Sequence, residues 1–316
     1  MTMKAKMNLT TEQVQQFLTD HHRSSVSNII MLSGGNWSQA FAYKQAGKDY
    51  VIRFGMHQDD YINDQAAQLY ASSDLPIPKV LEVGETFGGY FAISERAFGT
   101  MIDELDHEAM KRVIPSLLAT LDAIRIADIS SSTGFGGRDN NGNGTFATWR
   151  EWLLDVNQDK PNSKTHGWKI GLKNSPVGSK PFEEGYASLI ELSRGLPEVR
   201  SLIHNDLMNF NVLVNDDKIT AMIDWANALY GDFLYELANF VFWGPIHEPI
   251  KGIDWESAAL EHYKSIGLKV PMFKERLQCC MVRMGLDHLA YYGFTKDWTY
   301  LEPVAKRTLA LAKGQS

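Results

Sequence analysis

Apolar residues follow two different periods along this chain, and the change of period divides it. Between Ser27 and Glu95 they alternate or run in short blocks. SNIIML, QAFAYK and YVIRF read as three successive strands, separated by the turn-forming stretches SGGNWS and QAGKD. KVLEVG and GYFAISE make a further pair across ETFGG. A helical stretch over residues 60–72 precedes that pair and stops before LPIP, where two prolines forbid continuation. Ahead of the first strand, Thr10 and Gln13 form a capping-box pattern, and Val14, Phe17 and Leu18 follow at helical spacing. After the opening helix, this half reads β-β-β-α-β-β.

From Met101 onward the spacing becomes helical. EAMKRVIPSLLATLDAIRIA carries one apolar face, with Pro115 as a point of kinking, and helices are predicted over 182–194, 233–243, 254–266, 272–292 and 298–313. The interruption is SLIHNDLMNFNVLVNDDKITAMIDWANA, two short β runs around polar loops. The pattern predicts a bilobal α+β protein. Residues 1–97 form a small five-stranded antiparallel β lobe with a helix, and residues 98–316 a larger, mainly helical lobe.

Composition narrows the function classes. The 316 residues are 44% hydrophobic and 22% charged, which is ordinary for a globular chain with a large core. A net charge of −7 without a basic stripe argues against a nucleic-acid partner and suits a cationic small molecule. Cys279 and Cys280 are adjacent, so no disulfide framework is expected. The N-terminal segment lacks a signal-peptide apolar region, and no apolar run is long enough for a membrane span. A cytoplasmic protein without a membrane partner is therefore expected. No Gly-x-Ser-x-Gly elbow, Cys-x-x-Cys pair, His-Glu-x-x-His helix or Walker A loop occurs, so those chemistries lack their residues.

Two segments place oxygen-bearing side chains at suggestive spacings. DNNGNGTFATWR, residues 139–150, imitates a calcium loop, with Asp139, Asn141 and Asn143 at ligand positions and Gly144 close behind. Position 12 of such a loop needs a bidentate Glu, and here it is Arg150. The segment therefore reads as a polar loop leading to a helix capped by Thr148. The second segment is HNDLMNFNVLV, residues 204–214, followed by AMIDW, residues 221–225. Asp, Asn and Asp are singly common in turns. Asp206, Asn211 and Asp224 in this order, between apolar β runs, match the phosphoryl-transfer set. One Asp takes the proton of the attacking hydroxyl, and the Asn and second Asp hold Mg²⁺.

The stretch IHNDLMNFNVLV…AMIDWANALYGDFLYELANF resembles the aminoglycoside phosphotransferases, in particular their hygromycin B-phosphorylating branch. LPIPKVLEVGE, STGFGG, TWREWL, PEVRSLIHND and VRMGLDHL extend the resemblance from about residue 30 to residue 290. It implies a protein-kinase-like fold and transfer of the γ-phosphate of ATP or GTP to a hydroxyl of an aminocyclitol-type, polycationic antibiotic. Asp206 is then the base, Asn211 and Asp224 the Mg²⁺ ligands, and His204 a support of the loop. Asp232 either caps a helix or braces the catalytic loop, and Glu236 stands one helical turn beyond it. Gly34, Gly35 and Ser38 lie over the phosphates. Arg53 replaces the strand lysine of kinases and binds phosphate as a planar fork. Its acidic partner is Asp64, with Asp59 and Asp60 as alternatives. Backbone groups near Glu95 and Ala97 meet the purine. For the acceptor, Asp287 and Trp243 offer a carboxylate and an aromatic face. Two other readings keep parts of this picture: a metabolic kinase for a small amine alcohol or sugar, and a nucleotide-binding module without catalysis.

Overall fold

The computed structural model describes residues 7–32, 37–139, 141–161, 163–208 and 210–315. The chain begins with α1 (Thr11–His22), β1 (Ser27–Leu32), β2 (Ser38–Gln45), β3 (Lys48–Gly55) and α2 (Gln58–Ala67). It continues through β4 (Val80–Thr86), β5 (Gly89–Glu95), β6 (Thr100–Met101), α3 (His107–Arg125), β7 (Phe135–Arg138), β8 (Gly144–Phe146) and α4 (Trp149–Asp155). Next come α5 (Trp168–Lys173), α6 (Lys180–Leu192), β9 (Ser201–Ile203), β10 (Val212–Asn215) and β11 (Lys218–Met222). The last elements are β12 (Leu229–Gly231), α7 (Leu234–Trp243), α8 (Trp255–Ser265), α9 (Phe273–Thr295) and α10 (Leu301–Ala312).

These elements form two compact units, Met1–Leu105 with Asp206–Ala228, and Asp106–Asn205 with Leu229–Ser316. The expected boundary at residue 97 thus differs from the observed division, and pairing explains why. Thr100 and Met101 of β6 pair with Val214 and Leu213 of β10, which draws the β10–β11 hairpin into the first unit. Gly99 makes that approach possible. Its φ is +154°, and a Cβ there would stand 2.7 Å from the Val214 carbonyl oxygen.

In the first unit the antiparallel sheet has the order β1-β2-β3-β5-β4. Phe41 and Tyr43 of β2, Ile52 and Phe54 of β3, and Phe91 and Ile93 of β5 alternate toward one face and bury Val14 and Leu18 of α1. The period-2 pattern of the sequence is this face. The α1 cap is the expected box: the Thr10 side chain accepts from Gln13 N, and the Gln13 side chain accepts from Thr10 N. The helix expected over 60–72 is α2 followed by a 3₁₀ turn at Gln68–Tyr70.

The second unit has a small sheet of order β8-β7-β12-β9 and the remaining helices. α3 runs through Pro115 as one helix. α9 is buried on most faces, and at its C-terminal end Gly293 lies so close to Gly171 of α5 that a Cβ on Gly171 would strike its carbonyl. The stretch that mimicked a calcium loop runs from the turn after β7 through β8 into α4. There Asp139 Oδ1 accepts from the backbone N–H groups of Asn141 and Asn143, at 2.8 and 2.9 Å, so its oxygen organises backbone. Thr148 caps α4 with Glu151 in a reciprocal box. Among the described residues no helix is long and apolar enough to cross a membrane.

Among the described residues, burial holds His22, His247 and His288 below the ordinary 6.5 because it disfavours the imidazolium. The unfolded chain therefore binds more protons just below that value. Their contribution to stability is complete above 6.5 and is lost as pH falls beneath it. Thermal melts taken from neutral pH downward should record this decline. A His288→Leu variant should give a shallower slope, because it removes one of the three groups.

Candidate active site

The β10–β11 hairpin brings two of the predicted oxygen donors together. Val212 pairs with Met222, and the Ile223 N–H donates to the Asn211 carbonyl at 2.9 Å. Asn211 enters β10 and Asp224 leaves β11, so the two flank the same open end of one hairpin. Asn211 is buried, and its Nδ2 donates to the Asp206 carbonyl oxygen at 2.7 Å, which leaves its Oδ1 as an acceptor. Asp224 adopts left-handed backbone, φ 61° and ψ 67°. Asn205 and Phe210 also have positive φ, 69° and 59°. Asn and Asp tolerate this region. A phenylalanine there is costly and needs outside support. Asp103 Oδ2 supplies some, accepting from the Phe210 N–H at 2.9 Å. Burial pushes the Asp103 carboxyl upward.

The Asp206 carboxylate is half-buried and accepts from Asn227 Nδ2 at 3.1 Å. Among the described residues nothing donates a hydrogen bond to the Asp224 carboxylate; its charged neighbours are Arg53 and Asp64. No group of three or more His, Cys, Asp or Glu side chains that could hold a metal exists among the described residues. The donors at the hairpin end are thus two hard oxygen groups, a set that suits a cation sharing its coordination with phosphate and water.

Arg53 of β3 and Asp64 of α2 form an ion pair. Neither Asp59 nor Asp60, in the first turn of α2, is that partner. Asp64 is 3% exposed and uses both oxygens, Oδ2 for Arg53 and Oδ1 for the Trp225 N–H at 2.5 Å. Burial works against charge on Arg53, but Asp64 and Asp224 outweigh it and hold the guanidinium above its ordinary value. Burial likewise pushes the Asp64 carboxyl up, against the pull of Arg53. Arg53 also lies over the Tyr61 ring, 5.2 Å from its centroid.

Ser38 opens β2 opposite Gly55. Gly34 and Gly35 lie outside the described residues. At the end of β5 the Glu95 N–H is taken by the Lys79 carbonyl at 2.9 Å. The backbone N–H and C=O of Ala97 carry no hydrogen bond among the described residues. Of the two positions expected to meet a purine, Ala97 therefore has the available groups.

In the second unit, the brace expected of Asp232 is made by Glu236. Its carboxylate accepts from the backbone N–H groups of His204 and Asn205, the residues just before Asp206. Asp232 instead closes on Arg276, 2.7 Å from Nε and 2.7 Å from Nη2, and accepts from the Leu234 N–H. His204 is fully buried. Asp287 of α9 is held by Arg283 and by the Tyr235 hydroxyl, at 3.2 Å, and its side chain is 42% exposed. Trp243 is buried, with its ring packed against His247, His288 and Tyr300, so it belongs to the core. Sequence reasoning missed Asn63, Asp103 and Asn227; a signal was present only at Asn227, a polar residue between two alanines just beyond IDW.

A kinase-like β sheet whose third strand carries an Arg paired with a buried Asp of the following helix, joined to a hairpin presenting Asn and Asp beside a further Asp, defines a phosphoryl-transfer enzyme. The chain belongs to the phosphotransferase enzyme family, whose model matches residues 32–263. It is 32% identical over 288 residues to hygromycin-B 4-O-kinase of Escherichia coli, covering 90% of this chain and 80% of that protein. A crystal structure of a thermostable mutant of the aminoglycoside phosphotransferase APH(4)-Ia, in ternary complex with AMP-PNP and hygromycin B, superposes with a TM-score of 0.81. The match covers 95% of this chain and 98% of that one at 30% identity. Spectinomycin phosphotransferase, at 15% identity and a TM-score of 0.62 over 97% of this chain and 98% of that one, shares the fold.

Proposed function

We propose that this protein moves the γ-phosphate of ATP or GTP to a hydroxyl of an aminocyclitol antibiotic of the hygromycin class, and thereby confers resistance. The observation that carries this reading is the meeting of Asp206, Asn211 and Asp224 around one hairpin end. The acceptor class rests on the likeness to hygromycin-B 4-O-kinase.

In this reading Arg53 binds the α- and β-phosphates, and Asp64 fixes the guanidinium plane. Ala97 offers its backbone N–H and C=O to the purine. Asn211 and Asp224 hold Mg²⁺, which when bound neutralises phosphate charge. Asp206 orients the acceptor hydroxyl and takes its proton as the oxygen–phosphorus bond forms and the bond to the β-phosphate oxygen breaks.

The test is nucleotide turnover by the purified protein with hygromycin B, other aminoglycosides, and simple amino alcohols and sugars. Turnover should depend on hygromycin B, and the product should gain one phosphate. Expression in a susceptible host should raise the tolerated concentration. Turnover with an amino alcohol or sugar, and none with hygromycin B, would overturn the proposed acceptor.

A further inference from the structure

Three residues after Asp224, the side chain of Asn227 reaches back to Asp206. Its Nδ2 donates to Oδ2 at 3.1 Å. Asn227 ends a 3₁₀ turn, Trp225–Asn227, whose backbone is fastened by consecutive residues of α2. Asn63 Nδ2 donates to the Ala226 carbonyl at 3.3 Å, and Asp64 Oδ1 accepts from the Trp225 N–H at 2.5 Å. The Trp225 indole is buried, and its Nε1 donates to the Met222 carbonyl at 3.1 Å. The turn is therefore held from both sides before it delivers Asn227, although Asn227 itself is exposed.

We infer that Asn227 is a positioning residue for Asp206 in the transfer reaction, and that α2 sets its place through Asn63 and Asp64. The inference rests on reading Asp206 as the proton acceptor. A free carboxylate turns about its last torsion and offers either oxygen. An amide donor on Oδ2 limits that rotation and fixes the plane of the carboxylate. A neutral donor does this without the counter-charge of a Lys or Arg, which would drain the basicity the proton transfer uses. Asn211 fixes the backbone carbonyl of the same residue, so Asp206 is gripped at main chain and at side chain. Asp64 thereby serves two parts of the site at once, the strand cation Arg53 and the turn that carries Asn227.

The experiment is a double-mutant cycle on the full-length protein, with kcat and both KM values measured for Asn227→Ala, Asn227→Asp, Asp206→Asn and the pair N227A/D206N. Asn227→Asp keeps the shape, removes the donor and sets a second carboxylate against Asp206, so it should fall at least as far as Asn227→Ala. Asn227→Ala should lose about 10-fold in kcat, the scale on which supporting partners act, with both KM values near wild type. In the Asp206→Asn background, Asn227→Ala should cost nothing further, because it acts through Asp206. A wild-type Asn227→Asp, an additive double variant, or a raised acceptor KM at constant kcat would each overturn the inference. Asp206→Asn with intact turnover would instead remove the underlying reading of Asp206, and this arm separates the two failures.

Discussion

Asp206→Asn should lower kcat by roughly 10²–10⁴-fold, the usual worth of a positioned base, while nucleotide affinity stays close to wild type. The substitution is well suited to isolating proton acceptance. The hydrogen bond from Asn211 goes to the backbone carbonyl of residue 206 and survives the change. The amide oxygen of the new side chain can still accept from Asn227. What disappears is the negative charge and the capacity to take a proton at the second oxygen. Arg53, Asp64 and Asp224 are untouched, so the groups assigned to the nucleotide remain. Steady-state kinetics with hygromycin B, beside a nucleotide titration, check this. Undiminished acceptor-dependent turnover would exclude Asp206 as the base.

The second large effect concerns stability. Arg276 is 1% exposed, and its guanidinium meets both oxygens of the buried Asp232 carboxylate. A further donation goes to the Pro271 carbonyl at 3.0 Å, and the group lies over the Phe233 ring. Removing the carboxylate strands a charge in the interior, and breaking a buried pair in this way costs about 3–5 kcal/mol. Asp232→Ala should therefore lower Tm by roughly 10 °C. The double variant D232A/R276M, which removes both charges and keeps the volume of the long side chain, should recover much of the loss. Thermal unfolding followed by circular dichroism tests both. A single variant melting within about 2 °C of wild type would mean that the pair contributes little. Turnover per folded molecule should change little, which distinguishes this residue from Asp206.

Much of this was legible beforehand, because the signals were local. Alternation announced β1, β2, β3, β4 and β5, and the Thr10–Gln13 box announced α1. Order and spacing proposed Asp206, Asn211 and Asp224, and the β10–β11 hairpin brings the last two to one end. What escaped notice depends on distant partners or on elements too short to have a period. β6 has two residues and β12 three, and only pairing across the fold makes them strands. Asp232 and Glu236 lie four residues apart, and both are acids. Which one meets His204 and which meets Arg276 depends on how α7 packs, and one-dimensional spacing does not encode that. Trp243 is similar, because an aromatic residue on a helix carries no label distinguishing core from surface.

The pairing of β6 with β10 bears on how the protein is made. The first unit contains Met1–Leu105 but is complete only with Asp206–Ala228, and the intervening hundred or so residues belong to the other unit. During synthesis the N-terminal sheet emerges early, yet its Arg53–Asp64 pair must wait for Trp225 to satisfy the second oxygen of Asp64. Completion of the first unit is thus a late, long-range closure, slow by the logic of contact order. A nascent chain arrested before residue 206 would hold the five strands of the sheet without the hairpin that completes their unit.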